Sequence, residues 1–216
     1  MKLLLLILLF PCLVFSRTIK VAVIDTGLDN LKGVKLCPKG LIDLTDTSMR
    51  SEADGHGNNV SHIIVDGLEK EDYCLYHIKA VSPLKNNYNL ALAMAIYHKV
   101  DIINYSAGGP TSDVWEEALV TLAIKNGIKL ITAVGNHSQD LDKNCNFFPA
   151  CYVKNTPGLI TVANNHKSSN YGKKTVTFTR NGVNVAAGGT TLSGSSQATA
   201  MVSREILIKL LKENKK

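Results

Sequence analysis

The sequence has no apolar run long enough to cross a lipid bilayer comfortably. Its longest apolar run, Leu3 to Phe15, follows the positively charged Lys2 and ends beside Ser16, a small residue. A membrane-spanning helix needs about 20 apolar residues, whereas a charged start, a short apolar run and a small residue are typical of a signal peptide. We therefore predict that residues 1–16 are a signal peptide and that the chain is secreted or periplasmic, with no stable membrane insertion after cleavage. A retained membrane anchor is the alternative.

Charged residues are also scarce, at 19% of the 216 residues, and aromatic residues make up only 6%. The formal net charge is +6, but the lysines and arginines are scattered apart from the tail 209–216, with little aromatic interleaving. Nucleic-acid-binding surfaces concentrate basic residues on one face, so we expect no nucleic-acid partner. Hydrophobic residues, at 45%, suffice for an ample core. We predict one compact domain over residues 17–216, with no evident propeptide, and we expect a monomer.

The cysteines show no Cys-x-x-Cys spacing, which argues against a zinc site. Four of them remain after removal of the predicted signal peptide, and four cysteines allow three pairings. The short loop between Cys145 and Cys151 favours a disulfide there, which leaves Cys37 to pair with Cys74 in an oxidising compartment. No loop carries a convincing carboxylate cluster for calcium. We therefore assign no metal and no cofactor.

Short β-branched runs alternate with amphipathic segments along the rest of the chain. The runs predict buried strands at 19–24, 75–81, 101–105, 129–133 and 159–162. The segments between them predict helices at 58–68, 90–99 and 114–126, and a further helix from Gln197. The helix at 114–126 opens with a capping box formed by Asp113 and Glu116 and ends at Gly127. This alternation predicts an α/β fold, a doubly wound and mostly parallel sheet with helices on both faces.

Polar residues stand at the ends of several predicted strands, where parallel sheets bind their ligands. Asp25 ends an apolar run, so its carboxylate is half buried and needs a partner. His56 lies between two glycines, which leaves its imidazole accessible as a general base. Asn136 follows a strand end of small residues, from which its amide could donate to an oxyanion. Each residue also has a structural alternative. Asp25 could cap a turn or helix, and His56 could be a polar residue with its hydrogen bonds satisfied. Asn136 could stabilise its own turn.

Two adjacent hydroxyls, Ser195 and Ser196, precede the last predicted helix. A single serine at this place could serve as an N-cap, because its oxygen accepts a backbone N–H of the first turn. The other interpretation is a nucleophile beside backbone N–H donors. That interpretation requires a base, an orienting acid and a second oxyanion donor elsewhere in the chain.

Taken together, these motifs resemble those of the subtilases, the subtilisin-like serine proteases of peptidase family S8. Its aspartate, histidine and serine motifs occur here in the family's chain order. A substrate-cleft strand and an oxyanion asparagine segment lie between the histidine and serine motifs. The matching segments are VAVIDTG (21–27), DGHGNNV (54–60), INYSAGG (103–109), AVGN (133–136) and GSSQAT (194–199).

The resemblance implies a subtilase-like catalytic domain and a serine endopeptidase. Ser196 would attack a peptide carbonyl, His56 would take the hydroxyl proton, and Asp25 would orient the imidazole. Asn136 and the Ser196 backbone N–H would hold the oxyanion. The implied partner is a polypeptide substrate. Structural calcium is common in the family, but we identify no site for it.

Small residues dominate the two segments that resemble the substrate cleft. The strand edge comprises Ser106, Ala107, Gly108 and Gly109, and the pocket wall comprises Ala133, Val134 and Gly135. An extended peptide could add to this edge by main-chain hydrogen bonds. The small side chains predict an open primary pocket and broad specificity, with a preference for large apolar residues.

Some positions depart from the family pattern. After His56 the sequence continues Asn58-Asn59 and Ser61-His62 instead of Thr-His and a small pair, and Ala200 stands where proline is typical. These departures motivate an alternative, a catalytically inactive subtilase-like scaffold that binds peptides or proteins. A third interpretation is an α/β-hydrolase esterase that uses Ser106 with Asp140 and His166, although the first glycine of its nucleophile motif is missing.

Overall fold

The computed structural model describes residues 17–48, 55–70, 72–83 and 85–215. The predicted signal peptide, residues 1–16, lies outside the described residues. Within them the strands are, in chain order, β1 (Ile19–Asp25), β2 (Leu36–Asp43), β3 (Tyr73–Lys79), β4 (Val81–Ser82), β5 (Lys85–Asn86), β6 (Ile102–Tyr105), β7 (Lys129–Ala133), β8 (Ile160–Asn164), β9 (Phe178–Arg180), β10 (Val185–Ala187) and β11 (Thr190–Leu192). The helices are α1 (His56–Val65), α2 (Tyr88–Tyr97), α3 (Val114–Lys125) and α4 (Ser195–Asn214), and a short 3-10 helix spans Ala150–Lys154.

Seven strands form one sheet in the order β2-β3-β1-β6-β7-β8-β9. Every neighbouring pair in this sheet is parallel, whereas β4–β5 and β10–β11 are short antiparallel hairpins. The chain passes from β1 to β2 at one edge, returns to β3 between them, and then continues from β6 outward to β9 on the other side. This doubly wound arrangement confirms the predicted α/β fold.

The strand β1 supplies the cores on both faces of the sheet, because successive side chains of a strand point to opposite faces. Val21 and Val23 belong to the core that includes residues of α1 and α4. Ala22 and Ile24 belong to the core that includes residues of α2 and α3. All four side chains are fully buried. Asp25 has the parity of Val21 and Val23, so the alternation directs its carboxylate to the face covered by α1.

Two strands of the sheet were not predicted, and each lacks the pattern of a buried strand. β2 contains Pro38 and Gly40, and its register against β3 shifts between Leu36 and Leu41. β9 has three residues, with no buried side chain among them. Both lie at the edges of the sheet, where irregular and short strands are tolerated.

Two disulfides are present, with the pairing expected from the sequence. Cys37–Cys74 joins β2 to β3. Cys145–Cys151 closes the loop that leads into the 3-10 helix. None of the helices in the described ranges is long and apolar enough to cross a membrane.

The predicted capping box of α3 forms only in part. Asp113 accepts hydrogen bonds from the backbone N–H groups of Trp115 and Glu116, as an N-cap does. The Glu116 side chain does not complete the box, because its carboxylate accepts hydrogen bonds from two buried tyrosines instead. The Asp113 N–H donates to Tyr152 Oη at 2.9 Å. The third helix therefore directs a carboxylate toward the interior, which the sequence pattern did not predict.

Candidate active site

The candidate site lies at the carboxyl ends of three adjacent strands, β1, β6 and β7. Asp25 is the last residue of β1, and Ser106 and Val134 directly follow β6 and β7. The first residues of α1 and α4 are His56 and Ser195. The sheet topology thus brings together segments that are far apart in the sequence, as expected for a parallel sheet.

Asp25 and His56 form a direct contact. His56 Nδ1 lies 2.6 Å from Asp25 Oδ1, and the aspartate is 2% exposed. The same oxygen accepts hydrogen bonds from the backbone N–H of Thr26 at 2.7 Å and from its hydroxyl at 3.3 Å. These donors hold the carboxylate in place. A carboxylate so placed favours the imidazole tautomer with a proton on Nδ1, which leaves Nε2 as the acceptor.

The glycine that follows His56 permits this contact. A Cβ atom on Gly57 would lie 2.3 Å from the carbonyl oxygen of Gly27 and 2.6 Å from that of Thr26. The Gly57 N–H donates to Thr26 Oγ1 at 2.9 Å. The first turn of α1 therefore packs directly on the loop after β1, at a separation that a larger residue would prevent.

The two serines at the start of α4 have different partners, and neither caps the helix. Gly194 occupies the N-cap position, with no side-chain cap hydrogen bond. Ser195 Oγ accepts a hydrogen bond from the Gly135 N–H at 3.2 Å. Ser196 Oγ donates to the carbonyl oxygen of Ser106 at 3.0 Å, rather than to the imidazole. Rotation about the Ser196 Cα–Cβ bond would release the hydroxyl from this carbonyl.

Asn136 lies beside the start of α4. Its Oδ1 accepts a hydrogen bond from the Ser195 N–H at 2.8 Å, and its side chain is exposed. A Cβ atom on Gly194 would lie 3.1 Å from Asn136 Nδ2. The hydrogen bond through Oδ1 thus orients the carboxamide, and Nδ2 remains a donor next to the first-turn N–H groups of α4, which have no acceptor inside the helix.

The predicted substrate edge is less open than the sequence suggests. Gly109 exchanges two backbone hydrogen bonds with Phe148, at 3.0 and 2.8 Å. The Ser106 carbonyl accepts the Ser196 hydroxyl. Among the described residues, the backbone groups of Ala107 and Gly108 have no hydrogen-bond partner outside regular secondary structure.

The Phe147 ring lies between the two walls of the predicted open primary pocket. A Cβ atom on Gly108 would lie 2.6 Å from the Phe147 ring, and one on Gly135 would lie 2.7 Å from the same ring. The ring is therefore in contact with both walls of the predicted pocket, the edge after β6 and the segment after β7. The sequence placed Phe147 only in the loop between two cysteines and gave no signal that this loop returns to the cleft.

His77 is a further residue that sequence reasoning missed. It lies in β3 and is fully buried. Its Nε2 lies 2.5 Å from the Thr26 carbonyl oxygen and its Nδ1 lies 2.9 Å from Ser61 Oγ. Because a carbonyl only accepts, Nε2 carries the proton and Nδ1 accepts from the Ser61 hydroxyl. This imidazole thus joins α1, which carries His56, to the loop after Asp25.

The residues of the esterase interpretation are not joined to one another. Ser106 Oγ accepts from Asn104 Nδ2 at 2.8 Å and donates to the Ser196 carbonyl at 3.3 Å. His166 Nδ1 contacts Ser168 Oγ, and Asp140 pairs with a lysine, Lys143. Among the residues that the structure describes, no group of three or more His, Cys, Asp or Glu side chains is placed to hold a metal ion.

Comparison with known proteins agrees with this geometry. Residues 16–215 match the family profile described as "Subtilase family". Subtilisin from Bacillus pumilus is 27% identical over 87% of this chain and 75% of its own length. Subtilisin E from Bacillus subtilis (strain 168) is 26% identical over 87% of this chain, which spans 54% of that relative.

Solved structures show the same fold. A lanthipeptide protease matches with a TM-score of 0.76 at 17% identity, over 91% of this chain and 74% of that one. A cold adapted subtilisin-like serine proteinase matches with a TM-score of 0.71 at 23% identity, over 91% of this chain and 76% of that one.

Proposed function

Because the chain belongs to the subtilase family, we propose that it is an exported serine endopeptidase that uses Asp25, His56 and Ser196. The observation that carries this proposal is the 2.6 Å contact between His56 Nδ1 and the buried Oδ1 of Asp25. Ser196 lies at the same strand ends, where its hydroxyl donates to the Ser106 carbonyl. A carboxylate in contact with Nδ1 stabilises the imidazolium that forms when Nε2 takes the serine proton.

The reaction is acyl transfer from a peptide bond. The Ser196 oxygen attacks the carbonyl carbon as its proton passes to His56, and the imidazolium then gives that proton to the leaving amine. Water then attacks the acyl-enzyme carbonyl as His56 takes its proton, and His56 returns that proton to the Ser196 oxygen as the acid product leaves. The Asn136 amide and the Ser196 N–H stabilise the oxyanion, a role that typically contributes on the order of 10²–10³ in turnover for one side-chain donor.

Substrate entry frees the nucleophile. The Ser106 carbonyl holds the Ser196 hydroxyl, and it is also a backbone acceptor on the edge to which an extended peptide adds. A peptide N–H that donates to this carbonyl competes with the hydroxyl, and a hydroxyl that is released can turn toward His56. Binding of a peptide at this edge thus favours the arrangement in which the Ser196 hydroxyl faces His56.

The primary pocket selects a small side chain at the scissile residue. The Phe147 ring contacts both walls of the pocket, so a large apolar side chain has no space there. This replaces the preference for large apolar residues that the small wall residues predict. We expect glycine, alanine and serine to be accepted there in preference to larger residues.

Export is supported by two features. Residues 1–16 have the sequence pattern of a signal peptide. The two disulfides also require an oxidising compartment to persist.

Covalent labelling tests the proposed nucleophile. A fluorophosphonate probe reacts with an activated serine, so we expect labelling of the natural chain and none of Ser196→Ala. Ser195→Ala is the matched control, because it removes the adjacent hydroxyl, and we expect it to be labelled. Mass spectrometry of the modified peptide identifies the residue. Labelling that survives Ser196→Ala would refute this assignment.

An inactive peptide-binding scaffold is the second candidate. It is favoured by the hydrogen bond that holds Ser196 on Ser106 instead of His56. Absence of labelling in natural chain that is correctly folded by circular dichroism would support it.

A further inference from the structure

The Asp25 carboxylate is held through one of its two oxygens. Oδ1 contacts His56 Nδ1 and accepts from both the N–H and the hydroxyl of Thr26. Oδ2 is buried, and the part of the chain that the structure describes offers it no hydrogen-bond partner. Two of the three donors to this carboxylate therefore belong to Thr26. The position of Thr26 thus determines whether Oδ1 faces the imidazole of His56.

A buried imidazole fixes Thr26 from the sheet. His77 Nε2 donates to the Thr26 carbonyl oxygen, which lies 2.5 Å away. His77 is fully buried in β3, which pairs with β1 on one side and with β2 on the other. The register pairs His77 with Val23, whose side chain shares the direction of Asp25. The donor to Thr26 therefore comes from the middle of a paired strand rather than from a loop.

Ser61 fixes the orientation of the His77 ring. Its hydroxyl donates to His77 Nδ1 at 2.9 Å, and Ser61 is itself fully buried. One accepting and one donating nitrogen require the neutral imidazole, which burial favours by lowering the pKa of His77. Ser61 and His56 both belong to α1. The hydrogen bonds therefore form a closed circuit that runs from α1 through His77, Thr26 and Asp25 back to α1.

We propose that His77 is a positioning residue for peptide hydrolysis, which acts by holding Thr26 so that Asp25 faces the base. The proposal rests on the proposed function, since it assumes that His56 is that base. The polar partners of His77 are Thr26 and Ser61, so it acts on the reaction only through them. Ser61 is one of the positions after His56 that depart from the subtilase pattern, and this circuit gives it a function in an active enzyme.

Two substitutions of His77 separate the loss of the donor from the loss of the ring. His77→Leu has no donor for the Thr26 carbonyl, whereas the amide of His77→Gln keeps one. For His77→Leu we expect kcat and the rate of fluorophosphonate labelling per reactive site to fall by about tenfold or more, with KM changed by less than about twofold. The reason is that a displaced carboxylate stabilises the imidazolium less in the transition state, while the peptide-binding edge is untouched. His77→Gln should stay within about threefold of the natural chain.

Thr161→Val is the matched control for a general loss of stability. Thr161 is fully buried in β8, and its hydroxyl donates to the Thr175 carbonyl oxygen at 2.5 Å. This variant removes the same kind of hydrogen bond at a strand that does not adjoin β1. We expect it to lower the free energy of unfolding and to leave the labelling rate per reactive site unchanged. A purely structural role of His77 would give the same result for His77→Leu.

Ser61→Ala is a milder change that decides the question if His77→Leu does not fold. It removes the donor to His77 Nδ1 and leaves the hydrogen bond to Thr26 in place. We expect the labelling rate per reactive site to fall by about threefold, the effect of one neutral hydrogen bond.

The proton between His56 Nδ1 and Asp25 reports on the contact without any reaction. A proton shared with a carboxylate over such a short distance gives a signal far downfield in the proton NMR spectrum. In the Ser196→Ala chain, we expect this signal to persist when His77→Gln is added. It should move upfield or disappear when His77→Leu or Ser61→Ala is added.

The outcomes separate the positioning role from the proposed function. An unchanged rate per reactive site in His77→Leu would overturn the role of His77, and so would equal losses in His77→Leu and His77→Gln. If His77→Leu does not fold, an unchanged rate in Ser61→Ala would overturn it. Failure of the natural chain to react with the fluorophosphonate would refute hydrolysis, and the NMR comparison would then still decide whether His77 holds Asp25 against His56.

Discussion

At the scale of single residues, the Phe147 ring lies between the two walls of the predicted primary pocket, although no motif contains this residue. The sequence identifies the walls of the primary pocket by their small residues. It does not identify Phe147, which lies between them, because a contact across the fold leaves no pattern in the neighbouring sequence. The four polar residues of the motifs were identifiable because each stands at the end of an apolar run, beside glycine or at the start of a predicted helix.

Phe147→Ala should widen the range of accepted substrates. Removal of the ring leaves a space between Gly108 and Gly135, so kcat/KM for peptides with phenylalanine at the scissile residue should rise by about tenfold or more. Each apolar side chain that becomes buried stabilises its complex by about 1.5–3 kcal/mol. The value for alanine peptides should change much less. A parallel assay of both peptides gives the comparison, and an unchanged ratio would show that the ring does not restrict the pocket.

At the scale of secondary structure elements, local patterns predicted the central strands and all four helices but not the sheet edges. β7 has the predicted bounds, and α1 begins two residues earlier than predicted, so that His56 is its first residue. β2 was missed because Pro38 and Gly40 interrupt its apolar pattern. The capping box was predicted correctly for Asp113 but not for Glu116. The Glu116 side chain accepts from two buried tyrosine hydroxyls instead, which a local motif cannot reveal.

His77 links β3 to the elements of the candidate active site and should make stability depend on pH. Burial is the main cause that lowers its pKa from 6.5, and Lys79 lowers it further, while the Thr26 hydrogen bond and Asp25 oppose this shift. As the pH falls below about 6.5, the unfolded chain therefore binds this proton before the folded chain does. The free energy of unfolding should fall as the pH decreases below that value, by at most about 1.4 kcal/mol per pH unit from this group.

Urea unfolding between pH 5 and 8 measures this dependence. His77→Gln should reduce the slope of stability against pH, whatever its effect on stability itself. His166→Gln, which removes an exposed imidazole, is the matched control and should leave the slope unchanged. The assignment to His77 fails if both variants keep the slope of the natural chain.

At the scale of the whole molecule, the two disulfides constrain the unfolded chain to different extents. Cys37 and Cys74 are 37 positions apart, and Cys145 and Cys151 are 6 apart. Loop-closure entropy gives about 4 kcal/mol of stabilisation for the longer loop and about 2 kcal/mol for the shorter one. Replacing each pair by alanine should therefore reduce the free energy of unfolding more for the Cys37–Cys74 pair.

Denaturant titration of the two double variants measures this difference. Retained fluorophosphonate labelling in both would show that the fold at the active site persists. A larger loss from the Cys145–Cys151 pair would contradict the loop-length argument and would point to local packing, since that loop carries Phe147.

The side-chain alternation of β1 has a consequence for insertions and deletions. Val21 and Val23 face one core, Ala22 and Ile24 face the other, and Asp25 shares the direction of the first pair. Adding or removing one residue within this strand would exchange the two apolar sets and turn the carboxylate to the side opposite α1. The number of residues between the start of β1 and Asp25 therefore cannot change by one without reversing these directions. A one-residue change in strand length would be less tolerable than a conservative exchange of any one of its apolar residues.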